Sequence, residues 1–340
     1  MLLAIAAVAT VVIVRLGLLG VALVVTVVVV RLVGRVDWGE VRAALAHLAW
    51  WHAPVLLAVL VLRQVLNALP LSLYIPGVSA YRATQNDQVA ILMSTIAPPP
   101  SDIALRMAMF SSWGVPVAKG LAGTLMNTLT FYIVRFGAPA VGFVLLGVTG
   151  GEVGLRWADL VSVAISVTIF VGLMLVVRSE ALARKVGTTA GRIAHRVRRS
   201  VDPEGWAAAC VQFRIDVAAR FRRGFPRSVL ALSAMLLVDL TMLVMSLRFV
   251  GLDTSELPIV EIAFAYLFAY PFTLFPFQGI GIVDAFVLAA IVQAGGAEVE
   301  AAAVAGLVVW RVFTIGGPLA LGALGLAAWR RTSGAATTSQ

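Results

Sequence analysis

Residues 301–329 form an apolar run that contains a single charge, Arg311. A guanidinium inside a membrane span costs about 2.5–3.5 kcal/mol on insertion scales, so it must face the bundle interior and meet an anion. Two anions suit: a lipid phosphate, or a carboxylate of the chain itself, Asp284 or Asp239. Asp284 opens a short helix just after Gly279 and Gly281. It either complements the helix N-terminus or orients Arg311 or a substrate amine. The two glycines let the backbone turn, and their exposed amides suit an anion. Gln278 precedes them, and Thr273, Tyr270 and Tyr266 fall loosely on one face leading to the same point, while placement in an aromatic belt accounts for the tyrosines equally well.

A second set lies earlier. Arg106 stands one helical turn past Asp102, so the two share a face. They form either a local ion pair at the cytoplasmic surface or a device that captures a headgroup from the inner leaflet. Asp239 sits inside Leu236-Leu237-Val238-Asp239-Leu240. Arg63, with Gln64 and Asn67 beside it, is its expected intramembrane partner. The pair reads as a buried polar contact between helices, with proton coupling as the alternative.

Other chemistries find no residues. His47, His52 and His195 lack metal-ligand spacing, and Cys210 is the one cysteine, which excludes an internal disulfide or a cysteine-ligated metal. No metal site and no cofactor is expected. No phosphate-binding nucleotide loop and no Ser/His/Asp set occurs, so no catalytic residue is assigned.

The elements that carry these residues belong in lipid. The 340-residue chain is 61% hydrophobic and 13% charged, against about 45–50% and about 25% for soluble domains. Its net charge of +9 is concentrated in residues 178–227, which hold twelve arginines and lysines. A basic segment between spans faces the cytoplasm and anionic headgroups rather than nucleic acid. Runs near the roughly 20 residues a span requires cover 16–33, 50–69, 121–146, 160–177, 228–250 and 301–329. The first reads as retained, not as a cleaved signal.

Two apolar stretches break instead of crossing. Residues 89–97 run into Pro98-Pro99-Pro100, and 262–275 run into Pro276-Phe277-Gln278-Gly279-Ile280-Gly281. Each break is followed by a short helix, a glycine turn and an alanine-rich span. Exposed backbone at membrane depth survives only inside protein or along a cavity, so both read as re-entrant hairpins. With 178–227 inside, the hairpins enter from opposite faces, as in the inverted repeats of secondary transporters. The loop at 31–42 runs against this count, since it falls outside with three arginines. Within 178–227, Asp202 and Pro203 start a helix whose Trp206, Cys210, Phe213, Val217 and Phe221 recur every three or four residues. It reads as an amphipathic helix on the membrane surface.

The segments Pro98-Pro99-Pro100-Ser101-Asp102-Ile103-Ala104-Leu105-Arg106, Gln278-Gly279-Ile280-Gly281-Ile282-Val283-Asp284 and Trp310-Arg311-Val312-Phe313-Thr314 carry a resemblance. They resemble the flippase-like membrane family typified by the N-terminal region of bacterial lysylphosphatidylglycerol synthases, the multiple peptide resistance factor type. The likeness covers about 16–330. Gly279, Gly281, Asp284 and Arg311 match the second-half motif, and Arg106 matches the arginine of the first short helix. In the first half prolines replace the glycines, and Asn127-Thr128 stands where the family has Glu-Arg. The resemblance implies movement of a lipid between leaflets. The aminoacylating members carry a soluble transferase domain after the membrane region. About ten residues follow the last span here, so lysyl transfer is not expected.

The expected architecture is an all-α polytopic membrane protein, one membrane domain over 1–340. It has about six transmembrane helices and two re-entrant helical hairpins, about 84–112 and 262–294, in halves 16–177 and 228–330. The expected location is the plasma (cytoplasmic) membrane, with 178–227 and the C-terminus cytoplasmic. The expected function is a flippase-like transporter of an anionic or isoprenoid-linked lipid, with Arg106, Arg311, Asp284, Gly279, Gly281, Gln278 and Asp102 binding substrate. The alternatives are a membrane-embedded transferase using a polyprenyl-phosphate donor, or a non-catalytic membrane partner of a separate transferase. Expected partners are membrane lipids, a separate transferase or a second copy of the chain, and no nucleic acid.

Overall fold

The computed structural model describes residues 37–97, 100–149, 157–197 and 202–337, and among these there is no strand. The expected first span, 16–33, lies outside the described residues. Helix α1 (Trp38–Leu45) is capped by Asp37, which accepts from the Gly39 and Glu40 amides at 2.8 and 3.3 Å. Helix α2 (His52–Tyr74) follows, and extended backbone at Ile75 and positive φ at Gly77 end it.

The first broken pair is α3 (Ala80–Ile96) and α4 (Ser101–Ser112). Ser79 caps α3, and Ala97 turns extended because it precedes a proline, which disfavours the helical region. The two helices fold back on one another. Helices α5 (Val117–Thr149) and α6 (Trp157–Arg178) form the next pair, joined by a hydrogen bond from Ser166 to the Ile133 carbonyl at 2.8 Å.

Helices α7 (Glu180–Val197) and α8 (Pro203–Phe249) correct the expectation for the basic segment. The cap is as read: Asp202 accepts from the Glu204 and Gly205 amides, and Pro203 takes the first turn. The helix does not stop near residue 223, however. It runs unbroken for 47 residues, about 70 Å at 1.5 Å per residue, and becomes the next span. Helix α7 crosses its N-terminal part closely, where a Cβ on Gly187 would lie 2.7 Å from Ala207 Cα and 2.9 Å from Cys210 Cβ. At that crossing Ala207 is buried, while Trp206 stays 45% exposed. Burial pushes the Cys210 thiol pKa up.

The second broken pair is α9 (Ile259–Ala269), which tightens into a 3-10 turn over Tyr270–Leu274, and α10 (Ile282–Gly295). Between them, Phe275 is extended before Pro276, and Gln278, Gly279 and Gly281 all take positive φ. A Cβ on Gly279 would collide with the Phe272 carbonyl, so only glycine fits. Helix α11 (Glu300–Arg311) continues through a π turn (Val312–Gly316) into α12 (Gly317–Thr337). The π turn begins at the residue after Arg311, and such turns favour functional positions.

Among the described residues, four helical segments are long and apolar enough to cross a membrane: His52–Tyr74, Val117–Thr149, Arg223–Phe249 and Ala297–Thr332. Val163–Gly172 of α6 is a shorter apolar stretch, as are Ile259–Leu274 and Ile282–Gly295 of the second broken pair. The main core lies among α2, α8, α9, α10 and α11, with Leu60, Leu247, Tyr266, Val287 and Trp310 nearly sealed. Leu57, Val61, Leu230, Leu237 and Val171 stay exposed, which hydrocarbon tolerates and water would not. Helix α12 packs along α3, where the Gln85 amide donates to the Gly325 carbonyl at 3.0 Å. That contact ties the last helix to the first broken pair.

Candidate functional site

Both broken pairs feed one cavity of about 610 Å³, a size typical of small-ligand sites. Arg63 of α2, Arg106 of α4, Arg135 of α5 and Arg311 of α11 all line it. Each arginine sits in an apolar or half-apolar helix, and the fold turns each one inward.

The second broken pair holds Arg311. Its Nε donates to Asp284 Oδ1 at 2.6 Å, and its Nη1 to the Gln278 carbonyl at 3.3 Å. The other Asp284 oxygen accepts from the Gly281 amide at 2.7 Å. Both readings of Asp284 therefore hold at once: it caps α10 and it orients Arg311. Among the described residues Gln278 is the non-glycine residue that carries positive φ, at 57°. This strained turn aims its carbonyl at Arg311, while its side-chain amide donates to the Thr314 carbonyl at 3.1 Å. Gln278 thereby fastens the break to the π turn at both ends.

The first broken pair holds Arg106, with a different partner from the one expected. Arg106 donates to Asn86 Oδ1 at 2.9 Å and to Asp87 Oδ1 at 3.0 Å, both on α3. Asn67 of α2 donates to the other Asp87 oxygen at 2.7 Å. Asp102 instead occupies the first turn of α4, half-exposed, where a carboxylate complements the helix dipole. The buried Asp87, 4% exposed, outcompetes a neighbour on the same helix, because an exposed pair of that kind is worth only about 0.3–0.5 kcal/mol.

Arg63 and Asp239 meet as expected, at 3.1 Å, with Tyr266 and Trp310 donating to the same carboxylate at 2.9 and 3.2 Å. Tyr266 thus supports the site from behind, whereas Tyr270, Thr273 and Gln278 line it. Gly279, Gly281, Asp284 and Asp102 are not among the lining residues. The glycines and Asp284 act by shaping the break.

Arg135 escaped the sequence reading. Its guanidinium lies over the Phe131 and Tyr132 rings, 4.4 and 5.7 Å from their centroids, and no carboxylate pairs with it among the described residues. The signal was present: it is the one charge in residues 120–149, inside an apolar run. Asp87 was missed too, because Asn86-Asp87-Gln88 reads as a polar approach to the break and not as a buried ligand.

Among the described residues no group of three His, Cys, Asp or Glu side chains is able to hold a metal ion. The carboxylate of the first broken pair that lines the cavity, Asp87, is bonded to Arg106 and Asn67. Asp284 is spent on Gly281 and Arg311, and Asp102 lies outside the lining.

The family model described as the lysylphosphatidylglycerol synthase TM region matches residues 6–322. The chain belongs to this family. No curated protein and no solved structure matches it. Together with the apolar helices, this makes it a multi-pass membrane protein of a family tied to lipid modification or transport.

Proposed function

We propose that the chain moves an anionic or isoprenoid-linked lipid between membrane leaflets, with the headgroup passing through the arginine-lined cavity while the tails stay in hydrocarbon. One observation carries the reading: Arg106 and Arg311, each held by a broken helix pair in a different half of the chain, line the same cavity. Arginine suits a phosphate because its planar fork donates to two oxygens at once. A buried guanidinium field is worth more in a low-dielectric interior than at a wet surface.

The two broken pairs act as re-entrant hairpins entering from opposite faces, one per half of an inverted repeat. The protein sits in the cytoplasmic membrane, with the basic segment 178–227 and the C-terminus on the cytoplasmic side, following the distribution of arginine and lysine. Movement is downhill or coupled to a gradient, since no nucleotide-binding motif occurs in this sequence.

The test is reconstitution of the pure chain in vesicles carrying fluorescent lipids of varied headgroup, with a membrane-impermeant quencher added outside. Transport predicts quenching beyond the outer-leaflet half for an anionic or polyprenyl-linked lipid, and its loss on Arg106→Ala or Arg311→Ala. Quenching that stops at the outer leaflet for every headgroup would leave the chain as a binding partner of a separate transferase. A new covalent lipid product would make it an enzyme.

A further inference from the structure

We infer that Arg135 is the phosphate seat of this cavity, and that the seat is matched to a headgroup of one negative charge, a phosphodiester, over a pyrophosphate. This deepens the transport reading and rests on it for the lipid's route into the site.

Charge counting makes the case. The cavity and its ion pairs set four guanidiniums against three carboxylates among the described residues: Arg63 meets Asp239, Arg106 meets Asp87, and Arg311 meets Asp284. Arg135 is the cation left over. Its ring contacts hold the guanidinium in position without neutralising it. A charge in an apolar span is costly unless an anion offsets it, and among the described residues the chain supplies none here.

Hydrogen bonding points the same way. Arg135 Nε, Arg63 Nε and Arg311 Nη2 are buried donors that make no hydrogen bond within the protein, and Asn127 Oδ1 is a buried acceptor in the same position. All four residues line the cavity. Orphaned buried polar atoms are uncommon and mark a missing partner. The two unesterified oxygens of a phosphodiester accept from the guanidiniums, and a glycerol or sugar hydroxyl donates to Asn127. Thr128, Phe131 and Arg135 follow at spacings of three and four, so one face of α5 presents the set. A pyrophosphate brings at least one further charge, which would stay unpaired away from water.

Phosphodiester chemistry has two sources in a membrane, a glycerophospholipid and a polyprenyl phosphosugar. The full chain in detergent would be titrated, by native mass spectrometry, with phosphatidylglycerol, a polyprenyl phosphomannose, a polyprenyl pyrophosphate and phosphatidylcholine. The seat predicts that one or both of the first two bind about tenfold better than the pyrophosphate. Whichever binds better names the source. Arg135→Gln should lose about tenfold of that affinity, and Arg135→Lys should retain part of it. Asp87→Asn removes one carboxylate, leaves two cations over, and should shift the preference toward the pyrophosphate. This gain survives even if Arg135→Gln fails to fold. Preference of the wild type for the pyrophosphate, unchanged binding in Arg135→Gln, or unchanged preference in Asp87→Asn would each overturn the assignment. The two proposals fail separately. Lipid that crosses vesicles at the wild-type rate in Arg135→Gln sinks the seat and spares transport. Binding that obeys these rules without any crossing spares the seat and sinks transport.

Discussion

Asp239 is the residue whose removal should cost the fold most. It accepts from Arg63, Tyr266 and Trp310 at 3.1, 2.9 and 3.2 Å, and is 2% exposed. Asp239→Ala leaves a buried guanidinium uncompensated, which typically costs about 3–5 kcal/mol. It also strips the acceptor from the Tyr266 hydroxyl and the Trp310 indole, each an orphan worth about 1–3 kcal/mol. These costs overlap because the groups share one carboxylate, so the net loss should stay near ~3–5 kcal/mol. Equilibrium unfolding in mixed detergent micelles would read it, taking the free energy by linear extrapolation to zero denaturant. The double variant Arg63→Met with Asp239→Leu removes both charges and fills the space. It should cost less than Asp239→Ala alone, because two charges leave together. A loss under about 1 kcal/mol for the single variant would refute the argument that these groups share one buried network. So would a double variant as damaging as the two singles combined.

Other outcomes follow from the same geometry. Arg311→Ala should deplete the anionic lipid that co-purifies with the protein, measured by mass analysis of the extract, and unchanged lipid would remove Arg311 from the site. Gly279→Ala forces a Cβ against the Phe272 carbonyl at a positive φ, so it should abolish monodisperse protein on size exclusion, and normal yield would contradict the turn. Cys210 should react slowly with maleimide at pH 8, because its raised pKa leaves less thiolate there. Its rate should keep climbing above the pH at which an unperturbed thiol levels off, and rates equal to those of a small free thiol would contradict the packing. Gly187→Val should pry α7 from α8 and speed that same labelling, and unchanged kinetics would argue against the crossing.

The sequence exposed those parts of the site that violate a local rule. A charge inside an apolar run singled out Arg311 and Asp239, and a proline or glycine run inside another singled out both breaks. Their pairings were readable because lipid gives a buried charge few partners: Arg63 found Asp239, and Arg311 found Asp284. Arg106 was assigned the carboxylate nearest in sequence. The true partner, Asp87, lies on the other arm of the same broken pair, and only the fold-back brings it within 3.0 Å. Arg135 obeyed the same rule as Arg311 and was passed over because no motif surrounds it. The extent of the helix that starts at Pro203 was hidden for a different reason. The arginines at 220–223 read as its end, yet arginine does not break a helix, and it runs on to Phe249. The companion helix α7 holds Gly187 at the crossing, a cue that becomes legible only once the two helices are side by side.

The most direct measurement is an experimental structure of the chain in nanodiscs that contain phosphatidylglycerol. The account predicts both broken pairs within the hydrocarbon slab, and headgroup density in the cavity within hydrogen-bonding distance of Arg135, flanked by Arg106 and Arg311. Broken pairs lying outside the slab, or arginines turned to separate surfaces with no shared cavity, would contradict it.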